Sequence, residues 1–167
     1  MSARSIHQYP DPILKRPTRP IERIDAGVAR LIETLITAMR HSPRCVGLAA
    51  PQLGSPLRVA VMDASGHPKA ATSQGLIVLV NPRLLAAEGV ACQREGCLSI
   101  PDFTANVRRA TRVRISASDQ SGSRRDFWLE GFEAIVAQHE IDHLDGRLFL
   151  DRVTNLKTDV FARKTYL

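Results

Sequence analysis

Apolar residues at Val28, Leu31, Ile32, Leu35, Ile36 and Met39 recur every three or four positions, the spacing that lays a stripe along one side of an α-helix. They predict a helix from about Ala26 to Arg40. A second stretch of this period runs through Phe132, Ile135, Val136, His139 and His143, with Leu144 beside it. Gly131 marks its start and Gly146 its end, because a glycine just past the last turn can take the left-handed conformation that closes a helix. Between the two helices the pattern shortens. Arg58 to Met62 and Leu76 to Val80 read as strands, and Val107 to Ala117 with Phe127 to Leu129 reads as a hairpin around the turn Gln120-Ser121-Gly122. Alternation along it puts Arg112 and Arg114 on one face and Val113 and Ile115 on the other, so the arginines are expected on a solvated sheet face. Gly54-Ser55-Pro56 reads as a loop. Residues from Thr154 to the end, including Lys157, Val160 and Phe161, read as a short terminal helix. Strands segregated from helices make this an α+β chain, with antiparallel or mixed sheets packed around the C-terminal helix.

Composition narrows the class. The 167 residues, 44% hydrophobic and 24% charged, suffice for a substantial core and read as one domain over 1–167, with no linker, repeat or low-complexity tract. The longest purely apolar run, Leu76 to Val80, is too short to span a membrane, and the Pro-rich, charged N-terminus lacks a secretory apolar region. A soluble cytoplasmic protein is expected, bacterial or, as a processed form, organellar. Three cysteines, an odd number, argue for a reducing compartment and against a disulfide scaffold. The net charge of +6, densest at Arg108, Arg109, Arg112 and Arg114, raises a nucleic-acid partner, but no RNA-binding aromatic motif accompanies it.

The stretch Gln138 to Gly146, QHEIDHLDG, carries the chemistry. Four steps on a helix bring His139 and His143 onto one face, a pair that can chelate one metal ion. Glu140 falls beside that pair, where a carboxylate can take a proton from a water acidified by the metal as it attacks a carbonyl. Hydrolysis of an amide or ester is implied; the bland reading is an amphipathic helix with two satisfied histidines. A third ligand decides between them. Downstream, the metzincin pattern would need His where Phe149 stands, and no glutamate follows Glu140, leaving only Asp142, Asp145, Asp151 and Asp159 as acids. Upstream, Cys97 in REGCLSIP is the best candidate, since a thiolate flanked by glycine and serine can approach a divalent ion closely; Cys45 and Cys92 compete with it. An isolated cysteine is otherwise a small buried hydrophobe.

Three segments, CVGLAAPQLG at 45 to 54, EGCLS at 95 to 99 and QHEIDHLDG at 138 to 146, resemble in order and spacing the three motifs of peptide deformylases, and the opening YPDPILKRP at 9 to 17 is similar to that family too. The resemblance covers nearly the whole chain and implies the deformylase fold. It implies that Cys97, His139 and His143 bind one divalent metal, usually ferrous iron, with zinc, nickel or cobalt as substitutes, and that Glu140 is general base and acid. Gln52 would offer its side-chain amide, and Leu98 its backbone N–H, to the developing oxyanion; each such donor typically lowers a barrier by ~3 kcal/mol. Cys45 and Cys92 would be structural. Ferrous iron beside a thiolate would lose activity in air.

By the same resemblance the substrate is a nascent polypeptide bearing N-formylmethionine. Phe132, Ile135 and Val136 are candidate walls for the methionine pocket, with ordinary core as their alternative. Val46 and Gly47 would present backbone groups to the peptide. The family's first motif usually begins with Gly where Cys45 stands, which puts the substrate fit there in question. Gly47 also reads as a turn glycine, Gln52 as a loop amide, and Glu95 as either a surface glutamate or a partner of Arg109 that orients the site. The basic charge and the nascent substrate together suggest ribosome association, with the chain a monomer or weak dimer. The competing functions are a metallopeptidase, which lacks its downstream ligand, and an inactive binder of formylated chains, which would be expected to have lost Glu140, Gln52 or Cys97.

Overall fold

A computed structural model describes residues 5–164. The elements run α1 (Ala26–His41), β1 (Gly47–Ala49), β2 (Val59–Met62), β3 (Ile77–Glu88), β4 (Ala91–Cys97), β5 (Ile100–Arg109), β6 (Arg112–Ser118), β7 (Arg124–Glu130), α2 (Gly131–Leu144), α3 (Leu156–Asp159) and β8 (Val160–Ala162). The named strands form two antiparallel sheets, one in the order β1-β2-β3-β6-β7 and one in the order β4-β5-β8.

The first helix forms as its pattern requires. Asp25 caps it by accepting from the Val28 N–H at 2.9 Å, and the buried Val28, Ile32, Leu35 and Met39 face β1 and β2 of the larger sheet. The second helix departs from the expected amphipathic pattern. From Glu133 to Leu144 all but Gln138 and His139 are buried, so α2 is a central helix. Its apolar contacts go to the five-stranded sheet, where full burial of side chains such as Ile141 contributes roughly 2 kcal/mol each. Toward the smaller sheet it turns polar groups instead. Past its last turn, Gly146 is left-handed (φ 73°), its N–H donates to the His143 carbonyl at 3.2 Å, and the Arg147 N–H reaches the Asp142 carbonyl at 2.8 Å. That pair of bonds closes the helix where the glycine signal placed it.

Three expectations change. The strand read as Leu76 to Val80 continues to Glu88, because Asn81 (φ 51°) and Pro82 fall in a bulge whose extra residue takes up the break. Asn81 is held there by its side chain, which bonds the Ile21 N–H and carbonyl at 2.8 and 2.7 Å. The stretch read as one strand over Val107 to Ala117 is two: β5 ends at Arg109 in one sheet and β6 begins at Arg112 in the other. Gln138 fixes the crossing by accepting from the Ala110 N–H at 3.0 Å and donating to its carbonyl at 2.9 Å. Finally, Val160 and Phe161 lie in β8 rather than in a terminal helix, because the chain returns to pair with β5; residues 165–167 of that expectation lie outside the described residues. Arg112 and Arg114 do occupy the solvated face, paired with Glu130 and Asp126.

The N-terminal segment ties the parts together. His7 N–H donates to the Gln52 carbonyl at 2.8 Å, Tyr9 N–H to Ser99 at 2.9 Å and Thr18 N–H to Leu144 at 2.9 Å, while Leu14 is fully buried against Cys97 and Phe149. Among the described residues no helix is long and apolar enough to cross a membrane.

Candidate metal centre

The irregular end of β4, the turn after β1 and the last two turns of α2 meet at one point. Cys97 Sγ lies 3.2 Å from His143 Nε2, and one ligand atom each from Cys97, His139 and His143 fall within 4.8 Å of one another. A thiolate and two imidazoles at this separation form a donor set suited to a single borderline divalent ion. The fit extends to the hydrogen bonding, since His139 Nδ1 is taken by Glu95 Oε2 at 2.8 Å, which turns its other ring nitrogen to the centre. Burial by itself would push the Cys97 thiol up, but the charge and hydrogen bonds of His143 and His139 hold it well below the usual thiol range. Cys92, the rival ligand, is exposed on β4, so it is neither near the centre nor a packed structural thiol. Cys45, the other rival, is half-buried on the wall of the adjoining cavity, its Sγ donating to the Gly47 carbonyl at 3.1 Å and its thiol pushed up to about 12 by burial and by Glu140.

Glu140 is 3% exposed, and its Oε2 has no hydrogen-bond partner among the described residues. Burial raises the carboxyl to about 7 against the opposing pull of His139 and His143. A carboxyl near neutrality can both accept and return a proton. Gly47 permits its position. The glycine is in β1 and not in a turn as one expectation had it; a Cβ there would collide with Glu140 Oε1, so no larger residue fits between strand and helix.

Gln52 is buried in the short 3-10 turn Ala50–Leu53, not free in a loop. Its Oε1 accepts from the Ala49 N–H at 3.0 Å, which requires the NH₂ to point the other way. That NH₂ donates to Ser99 Oγ at 3.1 Å and faces Cys97 Sγ at 3.5 Å. Leu98 lies in the turn between β4 and β5 and lines the cavity. Val46 lines it as well, with its carbonyl accepting from the Asp63 N–H at 2.9 Å.

The cavity itself, about 820 Å³, opens directly off the three ligands, and Phe132, Ile135 and Val136 form one side of it. Ile135 and Val136 are nonetheless buried, so core and pocket wall describe the same side chains. Phe132 is stacked at 4.4 Å by His67, from the segment between β2 and β3. Sequence reasoning missed what holds that segment: buried Glu133 accepts from Ser73 Oγ at 3.0 Å and from the Gln74 N–H at 2.8 Å. It also missed the roles of Ser99 and, above all, of Asp142 within QHEIDH.

Asp142 and Glu95 bracket a buried arginine. Arg109 donates through Nε to Glu95 at 2.7 Å and through a terminal nitrogen to Asp142 at 2.5 Å, and Asp142 also receives Arg152 at 2.6 Å. Burial opposes ionisation of Glu95, but Arg109 and His139 hold its carboxyl down at about 2. The chain Arg109–Glu95–His139 therefore orients a metal ligand from the second sheet. Glu95 is no surface glutamate, and Arg109 leaves the solvated arginine run to serve it.

Comparison with known proteins agrees with this geometry. The family model of polypeptide deformylase matches residues 3–159. A peptide deformylase of Bartonella tribocorum is 39% identical over 165 residues, covering 98% of this chain and 92% of its own. Among solved structures, the peptide deformylase of Legionella pneumophila superposes with a TM-score of 0.84 at 38% identity, covering 92% of this chain and 88% of that one. The Met-Ala-Ser-bound class I type b peptide deformylase of Acinetobacter baumannii gives 0.82 at 29% identity, covering 89% and 96%. The chain belongs to the polypeptide deformylase family.

Proposed function

We propose that the protein hydrolyses the formyl group from the N-terminal N-formylmethionine of new polypeptides, releasing formate and a free amine. The observation that carries this reading is the convergence of Cys97, His139 and His143 beside an unpartnered, buried Glu140 on a cavity with an apolar wall. One divalent ion held by those three residues supplies Lewis acidity for the carbonyl and for water; ferrous iron is the proposed metal, with zinc, nickel or cobalt as substitutes. Glu140 takes the proton of the attacking water and delivers one to the departing nitrogen, since an amide nitrogen leaves poorly unless protonated. The Gln52 NH₂ and the Leu98 backbone N–H receive the negative charge that develops on the formyl oxygen. Phe132, Ile135 and Val136 take the methionine side chain, and Val46 and Gly47 line the path of the peptide backbone. The Met-Ala-Ser-bound structure of the Acinetobacter relative supports the product assignment.

The proposal extends to a cytoplasmic setting, a monomer or weak dimer acting as a single domain, and contact with ribosomes through the net charge of +6. The decisive test is formate release from formyl-Met-Ala-Ser by anaerobically prepared, iron-loaded protein beside Glu140→Ala, with metal content measured in both. Turnover in the wild type and a loss of about 10³-fold in a variant that retains its metal is expected. Full metal occupancy without turnover in the wild type would point to the alternative of a non-catalytic binder.

A further inference from the structure

Five cationic side chains, Arg44, Lys69, Arg94, Arg163 and Lys164, stand around the mouth of the cavity, and none forms an ion pair among the described residues. Some arginines elsewhere have carboxylate partners, as Arg58 has Asp145 and Arg125 has Asp119. The carboxylates in the cavity wall cannot serve the mouth, because Glu95 is committed to Arg109 and His139 and Glu140 is buried beside the ligands. The result is a positive rim around a site whose floor is neutral or occupied.

Two of the five are held in place. The Arg94 guanidinium lies 3.5 Å over the Phe161 ring, and its Nε donates to Asn106 Oδ1 at 2.9 Å. One terminal nitrogen donates to Thr104 Oγ1 at 3.5 Å, and the guanidinium meets no carboxylate among the described residues. Arg163 follows β8, anchored by its backbone N–H to the Asp102 carbonyl at 2.8 Å, and its guanidinium covers Gly96 so closely that a Cβ there would collide with it. Arg94 belongs to β4 and Arg163 covers Gly96 of the same strand, whose second edge is unpaired among the described residues because the order is β4-β5-β8. A peptide laid along that edge advances ~3.3 Å per residue. With its formyl group at Cys97, it brings its second to fourth side chains past Gly96 and Arg94.

We propose that this rim selects formylated chains that carry a carboxylate at the second, third or fourth residue, with Arg94 and Arg163 as specificity-determining residues. The inference rests on the deformylase reading. Exposed pairs of this kind are each worth a few-fold in affinity, so an aspartate-for-lysine exchange, which replaces repulsion by attraction, changes the preference by about tenfold. The effect falls on KM rather than kcat, because the pairs form along the strand, up to about 10 Å from the reacting carbon, and are the same in ground and transition states.

The test uses iron-loaded protein and C-terminally amidated formyl-Met peptides with Asp or Lys at each of the three positions, beside neutral formyl-Met-Ala-Ser amide and its free acid. The ratio of kcat/KM for Asp over Lys is expected near tenfold at low salt and near unity at about 1 M salt, where screening acts within ~3 Å. Arg94→Gln with Arg163→Gln should bring the low-salt ratio to about 2, whereas Arg125→Gln, remote on β7, should leave it unchanged. A ratio near 1 in the wild type while the neutral amide is turned over overturns the proposal and leaves the deformylase reading intact. So does a ratio that survives the double substitution. A gain only for the free acid would assign the rim to chain termini and overturn it for nascent chains. No turnover of any formylated peptide would overturn both.

Discussion

At the scale of single residues, the roles assigned to Gln52 and Glu95 differ in what their loss should do. Gln52 has its amide oriented by the Ala49 N–H and by Ser99, so its NH₂ is preorganised toward Cys97. Replacing it with leucine should lower kcat by about 10²-fold with metal retained, measured as formate release at saturating substrate. Glu95 acts through others. Glu95→Gln leaves Arg109 with one fewer buried carboxylate and His139 with a weaker acceptor. It should destabilise the metal-free fold by about 3 kcal/mol, read from urea unfolding, and weaken metal binding by about 10- to 100-fold, read by chelator competition. A variant as stable as the wild type would show that the Arg109 cluster does not organise the site. Of these residues, Cys97, His139, Glu140 and His143 were legible in the sequence because metal chemistry restricts the residue types and their spacing. Ser99, Glu133 and Asp142 were not, because a serine or an acid has many uses and only burial reveals which one applies.

Among the elements, α2 shows how a local signal and a long-range one combine. Its bounds could be read from Gly131 and Gly146, since backbone geometry near a helix end is a local matter. Its burial on nearly every side could not, because the polar residues Glu133, Asp142 and His143 gain their partners Ser73, Arg109, Arg152 and Cys97 only when the fold brings them together. Gly146→Ala tests the local half. A Cβ there meets the Arg16 carbonyl carbon at 2.8 Å and must adopt a left-handed φ. A loss of roughly 2 kcal/mol is expected, seen as a lower urea midpoint at unchanged slope. The errors in β3 and in the stretch from β5 to β6 share one origin. A strand that continues through a bulge at Asn81-Pro82 and one that changes sheets at Ala110-Thr111 both depend on partners that the local pattern does not contain.

On the scale of the whole molecule, the metal centre is also a junction. Cys97 comes from the smaller sheet, both histidines come from the helix packed on the larger one, and the polar contacts around Arg109 join the same two bodies. An ion bound across them stabilises the folded chain by mass action. Removing it with a chelator should abolish formate release and lower Tm by several degrees, both restored by ferrous iron; an unchanged Tm would mean that the sheets are held without it. The sequence by itself determined the α+β class, the first helix, the ends of the second and the candidate metal ligands, since each of these is written in spacings of a few residues or in side chains with few alternative uses. Tertiary structure alone decided how far the strands run, that α2 is central, that Arg109 belongs to the site and that unpaired cations gather at the mouth of the cavity. Those outcomes depend on which distant groups meet out of water, and a buried charge shows its partner only once the chain has brought the two together.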